Sequence, residues 1–214
     1  MSHVAILASG KREQTKVANR RAILDAAREV FAELGYEVAT VRDIIRRTGL
    51  ASGTFYNYFR SREEVFEALA DDGAARFRPI LRACWEASNS FDGYLRAAIQ
   101  AYFDFIADEH ETWQTNRPAG ERHPQMAVQT PEMERVFEEV RDAFSKAIEH
   151  GGAPRVDADY LAAACIAVAR QVGDKMLERR PINTVDATDF ATKLILGGLP
   201  ALPRLAPRPE KPHG

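Results

Sequence analysis

Residues 40–66, TVRDIIRRTGLASGTFYNYFRSREEVF, decide the fold of this chain, because they describe two short helices joined by a tight turn. Thr40 and Asp43 have the spacing of a capping box, which marks the start of the first helix. Gly49 tolerates left-handed backbone, so it predicts where that helix ends. Ser52 then begins the second helix. The stretch is therefore predicted to be a helix-turn-helix.

The second helix of this pair has two faces of different chemistry. Phe55 and Phe59 lie four residues apart, so both are predicted to be buried on one side. The other positions carry hydroxyl and amide groups, at Thr54, Tyr56, Asn57 and Tyr58. Such groups suit phosphate oxygens and base edges, whereas a purely structural helix has little use for them. This pattern is typical of a helix that lies on DNA.

The chain resembles the TetR family of one-component transcriptional regulators over about residues 20–69. The resemblance is carried by TVRDII at 40–45, GLASGTFYNYF at 49–59 and SREE at 61–64. A glycine, a threonine and an alternating aromatic string in this order are far more specific than a bare helix-turn-helix pattern. The resemblance implies an all-α fold, with a three-helix DNA-binding head and a six-helix body for ligand binding and dimerisation.

Helical periodicity extends along the rest of the chain, and no alternating strand pattern appears in the sequence. We expect four regions, namely a disordered basic arm at 1–15, a helix-turn-helix domain at 16–62, a ligand-binding and dimerisation domain at 63–199 and a Pro-rich disordered tail at 200–214.

Breakers and caps predict the helix boundaries. The first long helix should end at Gly35, and the helix from Arg62 to about Ala87 should be kinked by Pro79. The later elements are predicted as a helix from Phe91 to about Asp108, a short element at 111–116, a loop at 117–129, and helices from Pro131, from Asp157 to about Arg179, and from about Val185 to Leu196.

Charge is distributed unevenly along the chain. Residues 1–62 carry eleven basic and six acidic side chains, a net charge of +5, and the remainder carries −7. A basic end on an acidic body suits a protein that places one end on phosphates. An architectural protein that binds DNA without sequence preference would need basic charge over much more of its surface.

Several other classes of protein are disfavoured by the sequence. The five histidines are scattered without metal-ligand or catalytic spacing, and no Gly-rich phosphate loop occurs. Cys84 and Cys165 lie far apart in apolar contexts, which favours a reduced, cytoplasmic protein. No run approaches the ~18 apolar residues of a membrane span. We therefore expect no enzymatic activity, no metal, no cofactor and no membrane partner.

The resemblance also implies which residues contact double-stranded DNA. Arg42 is suited to a guanine edge, where a bidentate contact contributes ~1–3 kcal/mol of discrimination. Tyr56 and Tyr58 match positions that hold phosphates, and Arg62 matches a basic position that contacts the DNA backbone. The full predicted set is Thr40, Arg42, Ser52, Gly53, Thr54, Tyr56, Asn57, Tyr58 and Arg62.

A homodimer is expected on the same grounds, because one short helix reads too few bases to find its site. The last two helices would pair with those of a second copy, and a face of small residues permits close approach: Ala162, Ala163, Ala167 and Gly173. The same face could instead pack within its own chain. The expected DNA partner is a palindromic operator.

The expected effector is a small lipophilic or aromatic molecule held in the body. Candidate ligand-binding residues are Tyr102, Phe103, Ile106, Trp113, Asn116, Arg117, Phe137, Phe144 and Arg170. Their spacing fits a plain hydrophobic core equally well, and Arg170 is placed to pair with Asp174. Two functions stay open: a repressor released from its operator by an effector, or a regulator with a filled core that senses no small molecule or answers to a protein partner.

Overall fold

The computed structural model describes residues 3–114 and 129–204, with side chains described for 12–110 and 129–204. These residues form eight α-helices and one 3-10 helix, without a strand among them, so the predicted all-α class is confirmed. The elements are α1 His3–Leu34, α2 Val41–Thr48, α3 Ser52–Tyr56, α4 Arg62–Ala87, α5 Phe91–Gln114, α6 Pro131–Glu149, α7 Ala158–Leu177, α8 Thr184–Gly198 and the 3-10 helix Leu199–Ala201.

The chain divides into two compact units, each with its own hydrophobic core. The first, which we call the head, comprises Met1–Gly73 with Glu109–Thr130, and the second, the body, comprises Ala74–Asp108 with Pro131–Gly214. The core of the head is formed by α1 to α4, with fully buried residues that include Ile23, Ile44 and Phe55. Burial of such side chains contributes about 1.5–3 kcal/mol each.

The local signals around the turn are confirmed in detail. The hydroxyl of Thr40 accepts a hydrogen bond from the N–H of Asp43 at 3.3 Å, and the Asp43 carboxylate accepts one from the N–H of Thr40 at 3.1 Å. Gly49 has φ +67°, in the left-handed region that most residues avoid. Residues close together in the sequence therefore determine where α2 begins and ends.

Ser61 and Glu64 cap the start of α4. The N–H of Glu64 donates to the Ser61 hydroxyl at 3.2 Å, whereas the Glu64 carboxylate accepts from the N–H of Arg60 instead of Ser61. The helix then continues through Pro79 to Ala87.

Several helix boundaries differ from the sequence-based expectation. Helix α1 begins at His3, within the region expected to be a disordered arm. Helix α5 continues past Asp108 to Gln114, since no Gly or Pro interrupts it there. Helix α7 ends at Leu177 and α8 begins at Thr184. The predicted loop up to residue 128 and the tail beyond residue 204 lie outside the described residues.

Helix α5 is the central element of the body. It buries a wide face that includes Phe91, Leu95 and Phe103. Gly173 of α7 is buried against it: a Cβ at this position would lie 2.7 Å from Ile106 Cδ1 and 3.3 Å from Phe103 Cε1. The absence of a Cβ at position 173 therefore leaves room for the end of the Ile106 side chain and for the Phe103 ring.

This packing corrects part of the expected dimer face. Gly173 and Ala162, two of the four small residues assigned to that face, are buried inside their own chain. Ala163 and Ala167 are exposed. The helical period explains the split, because positions 162 and 163 lie about 100° apart around the helix.

Candidate nucleic-acid interface

The second helix of the helix-turn-helix presents the two faces that its sequence predicts. Phe55 is fully buried and Phe59 is 4% exposed, which confirms their place in the core of the head. Ser52, Gly53 and Asn57 are exposed, and so is Tyr56, at 56% of its surface. Thr54 and Tyr58 are half-buried. Hydroxyl, amide and backbone groups therefore form an exposed surface, and the buried rings of Phe55 and Phe59 lie beneath it.

Helix α3 itself is short, and a turn completes this surface. After Tyr56, the N–H groups of Tyr58 and Phe59 both donate to the carbonyl oxygen of Phe55, at 2.9 and 3.1 Å. Asn57 and Tyr58 are thereby held in a helical turn beyond the last residue of α3. Gly53 adds no side chain, and a Cβ built there would meet nothing within 4 Å. A partner's backbone can approach α3 closely at this point.

The start of α2 places Arg42 and Thr40 on the surface of the head. Arg42 is exposed in the first turn. Thr40 is exposed too, but its hydroxyl donates a hydrogen bond to the Asp43 carboxylate at 2.6 Å. That bond is the main reason the pKa of Asp43 is lowered, with smaller contributions from the Thr40 N–H, Arg46 and Arg42. Thr40 thus caps the start of α2. Its hydroxyl proton is engaged by Asp43, so it is not free to donate to a phosphate.

Arg62 is used inside the head, which differs from its expected place at the DNA backbone. Its Nη1 donates to the carbonyl oxygens of Tyr36, Glu37 and Ala39, at 2.7, 3.2 and 3.2 Å. The guanidinium also lies 4.3 Å from the centroid of the Tyr36 ring. Arg62 therefore fastens the link between α1 and α2 to the start of α4.

A second arginine ties α2 to α1. Arg47 donates to Glu29 at 2.8 Å and to both carboxylate oxygens of Glu33. The hydrogen bond from Arg47 is the largest cause of a lowered pKa at Glu33. Neither this contact nor that of Arg62 has a sequence signal, because both join residues at least fourteen positions apart.

The candidate effector residues of the body lie mostly in its hydrophobic core. Phe103 is fully buried and Phe144 is 1% exposed, and three others pack partly buried against that core: Tyr102, Ile106 and Phe137. Arg170 is exposed. Asn116, Arg117 and the side chain of Trp113 lie outside the described residues. Where it is described, the set therefore reads as core packing with one exposed cation.

One polar feature interrupts this core. Burial raises the pKa of Tyr102 to about 12; Asp174 adds to the rise, and Arg170 opposes it. Burial likewise raises the pKa of Asp174, against the charge of Arg170. A tyrosine hydroxyl and a carboxyl group thus sit at the border of the apolar core, between α5 and α7.

The body also carries a surface depression of about 280 Å³ between α4, α5 and α6. Trp85 and Tyr94 line it, with ring centroids 5.1 Å apart in an edge-to-face arrangement. Charged side chains surround them, including Arg82, Glu139 and Lys146. Of the candidate effector residues whose side chains are described, none lines this depression.

Within residues whose side chains are described, no group of three or more His, Cys, Asp or Glu could hold a metal ion. Among the described helices, none is both long and apolar enough to cross a bilayer.

Residues 23–69 match the family model described as "Bacterial regulatory proteins, tetR family". Among curated proteins, the HTH-type transcriptional repressor Rv1474c of Mycobacterium tuberculosis is 34% identical over 101 residues, covering 46% of this chain and 51% of the relative. The HTH-type transcriptional repressor AcnR of Corynebacterium efficiens is 47% identical over 60 residues, covering 28% and 32%. The chain thus matches about half the length of the first relative and a third of the second.

Other likenesses extend further along the chain. The HTH-type transcriptional activator FasR of Mycolicibacterium smegmatis is 28% identical over 190 residues, covering 86% of this chain and 84% of FasR. The fatty acid degradation regulator FadR from Bacillus halodurans has a TM-score of 0.67 at 22% identity, covering 85% and 96%. FadR from Bacillus subtilis, solved in complex with stearoyl-CoA, has a TM-score of 0.66 at 19% identity, covering 83% and 98%.

The solved structures share the fold of this chain. The matched segment 23–69 contains α2 and α3 and the residues that cap them. From the family match and the geometry of the head, residues 23–69 form a helix-turn-helix segment of the kind found in the TetR family of transcriptional regulators.

Proposed function

We propose that this protein is a sequence-specific transcriptional repressor that binds a palindromic operator as a homodimer. The observation that carries the proposal is the polar, exposed face of α3 and its turn, set on the buried rings of Phe55 and Phe59. Rv1474c and AcnR, both repressors, favour repression, although FasR is an activator.

The proposed DNA contacts divide into two roles. Ser52, Gly53 and Thr54 would meet the major groove, and Arg42 a base edge. Tyr56, Asn57 and Tyr58 would hold phosphates and the wall of the groove. Thr40 and Arg62 act as positioning residues, because their polar groups already fasten α2 and its neighbours.

The proposed dimer surface lies on α7 and α8. Large apolar side chains are exposed there, with Tyr160 at 79%, Phe190 at 61% and Leu194 at 53%. Ala163 and Ala167 lie on the same pair of helices and are exposed as well. An apolar surface of this kind, formed by two adjacent helices, is well suited to pairing with its own copy.

The proposed effector is a lipophilic acyl compound bound within the body. FadR of Bacillus subtilis has been solved with stearoyl-CoA, which supports this chemical class. The effector would bind one arrangement of the body better than another, shift α4 and move the two copies of α3 away from the ~34–36 Å separation of adjacent half-sites. Release from DNA would follow from that difference in affinity.

A second candidate is a regulator with a filled core, which senses no small molecule or answers to a protein partner. The burial of Phe103 and Phe144, and the close contact of Gly173 with Phe103, favour it. An acyl chain there would have to displace side chains that already fill the core.

The test is binding of the purified protein to its own upstream DNA and to a scrambled duplex of equal length at one salt concentration. Preference for the upstream DNA is expected, and Tyr56→Phe and Arg42→Ala should each weaken it. Adding stearoyl-CoA, with free coenzyme A as the control, then separates the two candidates. Release by the acyl compound alone supports the sensor, and undisturbed binding supports the filled core. Equal affinity for both duplexes would overturn the proposal.

A further inference from the structure

Helix α1 changes chemistry along a single stripe. In its second half, Ile23, Ala27 and Val30 are buried against the rest of the head. A helix repeats its facing positions about every seven residues, or two turns. Lys16 lies seven residues before Ile23, and Arg20 lies seven before Ala27. The buried apolar stripe is thus continued toward the N-terminus by cations.

Three basic residues make up this continuation: Arg12, Lys16 and Arg20, spaced four apart. All three are exposed. Successive members lie about 6 Å apart along the helix axis. Glu13 lies beside them, yet residues 12–21 keep a net charge of +3. We call these three residues the cationic stripe.

Arg20, the last residue of the cationic stripe, lies beside the turn that follows α3. The Arg20 guanidinium lies 5.7 Å from the centroid of the Phe59 ring, which closes that turn. Arg21, one position further, points elsewhere, with its side chain 83% exposed and its Nε 3.9 Å from Asp25. The direction of the stripe is therefore fixed by a contact as well as by periodicity.

We propose that the cationic stripe is a second DNA contact, which binds phosphates flanking the base pairs met by α3. This inference rests on the proposed function. The support for this proposal is charge complementarity. The face of α1 that packs on the rest of the head in its second half carries cations in its first half, and such cations can neutralise a row of phosphates. Phosphate contacts add affinity and fix orientation without reading sequence.

The variants Lys16→Ala and Arg12→Ala/Lys16→Ala test the proposal. Arg20 is spared because it contacts Phe59, and alanine keeps the helical propensity of α1. Affinity for upstream and scrambled DNA should fall by the same factor. The slope of log affinity against log salt should lose about 0.9 for each phosphate contact removed, hence about 3.6 for the double variant of a dimer.

Arg21→Ala is the matched control, since it removes one charge from the same helix on another side. It should leave the salt slope unchanged. An unchanged slope in the double variant would overturn the proposal, and so would an equal loss in Arg21→Ala, which would indicate net charge alone. Loss of preference for upstream DNA in the double variant would overturn the phosphate assignment.

The same titrations separate this inference from the proposed function. If the unaltered protein does not distinguish upstream from scrambled DNA, sequence-specific regulation fails. The contrast between Lys16→Ala and Arg21→Ala on either duplex would still decide whether the stripe contacts phosphates.

Discussion

Gly53 leaves the exposed face of α3 without a side chain where this helix would meet the major groove. Because a Cβ there meets nothing inside the chain, Gly53→Leu should fold normally and lose operator binding. Thermal unfolding and DNA titration of the same preparation measure the two effects. A fully active Gly53→Leu protein would show that DNA does not approach α3 at this point.

Gly49 is the control glycine for that experiment, because the backbone conformation of the folded head requires glycine there. Its φ of +67° disfavours any residue with a Cβ, so Gly49→Ala should lower the free energy of unfolding by about 1–2 kcal/mol. Gly53 carries no such strain. The two glycines thus separate a folding role from a binding role within one motif.

Arg62 is expected to act on DNA binding only through the fold of the head. Arg62→Ala removes hydrogen bonds to three carbonyl oxygens and should lower the free energy of unfolding by about 1.5–3 kcal/mol. Chemical denaturation measures this loss. Weaker DNA binding with unchanged stability would instead make Arg62 a direct contact to the DNA backbone.

At the scale of elements, an ion-pair network joins α4 to α6. The Arg78 guanidinium donates to Glu139 at 2.7 Å and to Glu132 at 2.7 Å, and Arg82 donates to Glu139 at 2.6 Å. Burial acts to raise the pKa of Glu139, but hydrogen bonds from Arg78 and Arg82 outweigh it, so the pKa is lowered. The charged form of Glu139 is therefore the one that stabilises the body.

Glu139→Gln should lower the free energy of unfolding by about 1–3 kcal/mol near pH 7. A lowered folded-state pKa gives stability above the unfolded pKa that is lost as pH falls through the folded pKa. The difference between the two proteins should therefore shrink on acidification below about pH 4. Urea denaturation at several pH values checks this. A difference that grows toward acid would contradict the assignment of charge.

The elements also show what sequence can predict. The capping box of Thr40, the glycine that ends α2 and the burial of Phe55 follow from local spacing, and all three are confirmed. The contacts of Arg62 and Arg78 join distant positions, so they emerge only when helices pack. The sequence pattern predicts an end of α5 near Asp108, whereas the helix continues to Gln114 because no Gly or Pro interrupts it.

The effector site is the part that sequence addresses least. A pocket and a packed core use the same aromatic residues at the same spacing, so Phe103 and Phe144 fit either until their burial is seen. The depression at Trp85 and Tyr94 brings together three helices, and no single-helix pattern marks it.

At the scale of the whole molecule, the exposed apolar residues of α7 and α8 should hold two copies together. Phe190→Glu places a charge on a side chain that is 61% exposed, so it should not disturb the core. We expect a folded monomer with much weaker operator binding. Sedimentation velocity and circular dichroism check this, with Lys175→Glu, an exposed change elsewhere on α7, as the control. If the Phe190→Glu protein remained a dimer, the interface would not lie on this surface.

We propose that two copies of one short helix read a two-fold symmetric DNA site. Footprinting of the protein on its own upstream DNA is the direct test. We expect two protected half-sites related by a palindrome, with centres one helical turn apart or a multiple of it. Protection should fade in Arg42→Ala and Gly53→Leu. A single unpaired site, or protection that follows no sequence, would show that the protein does not bind DNA in this way.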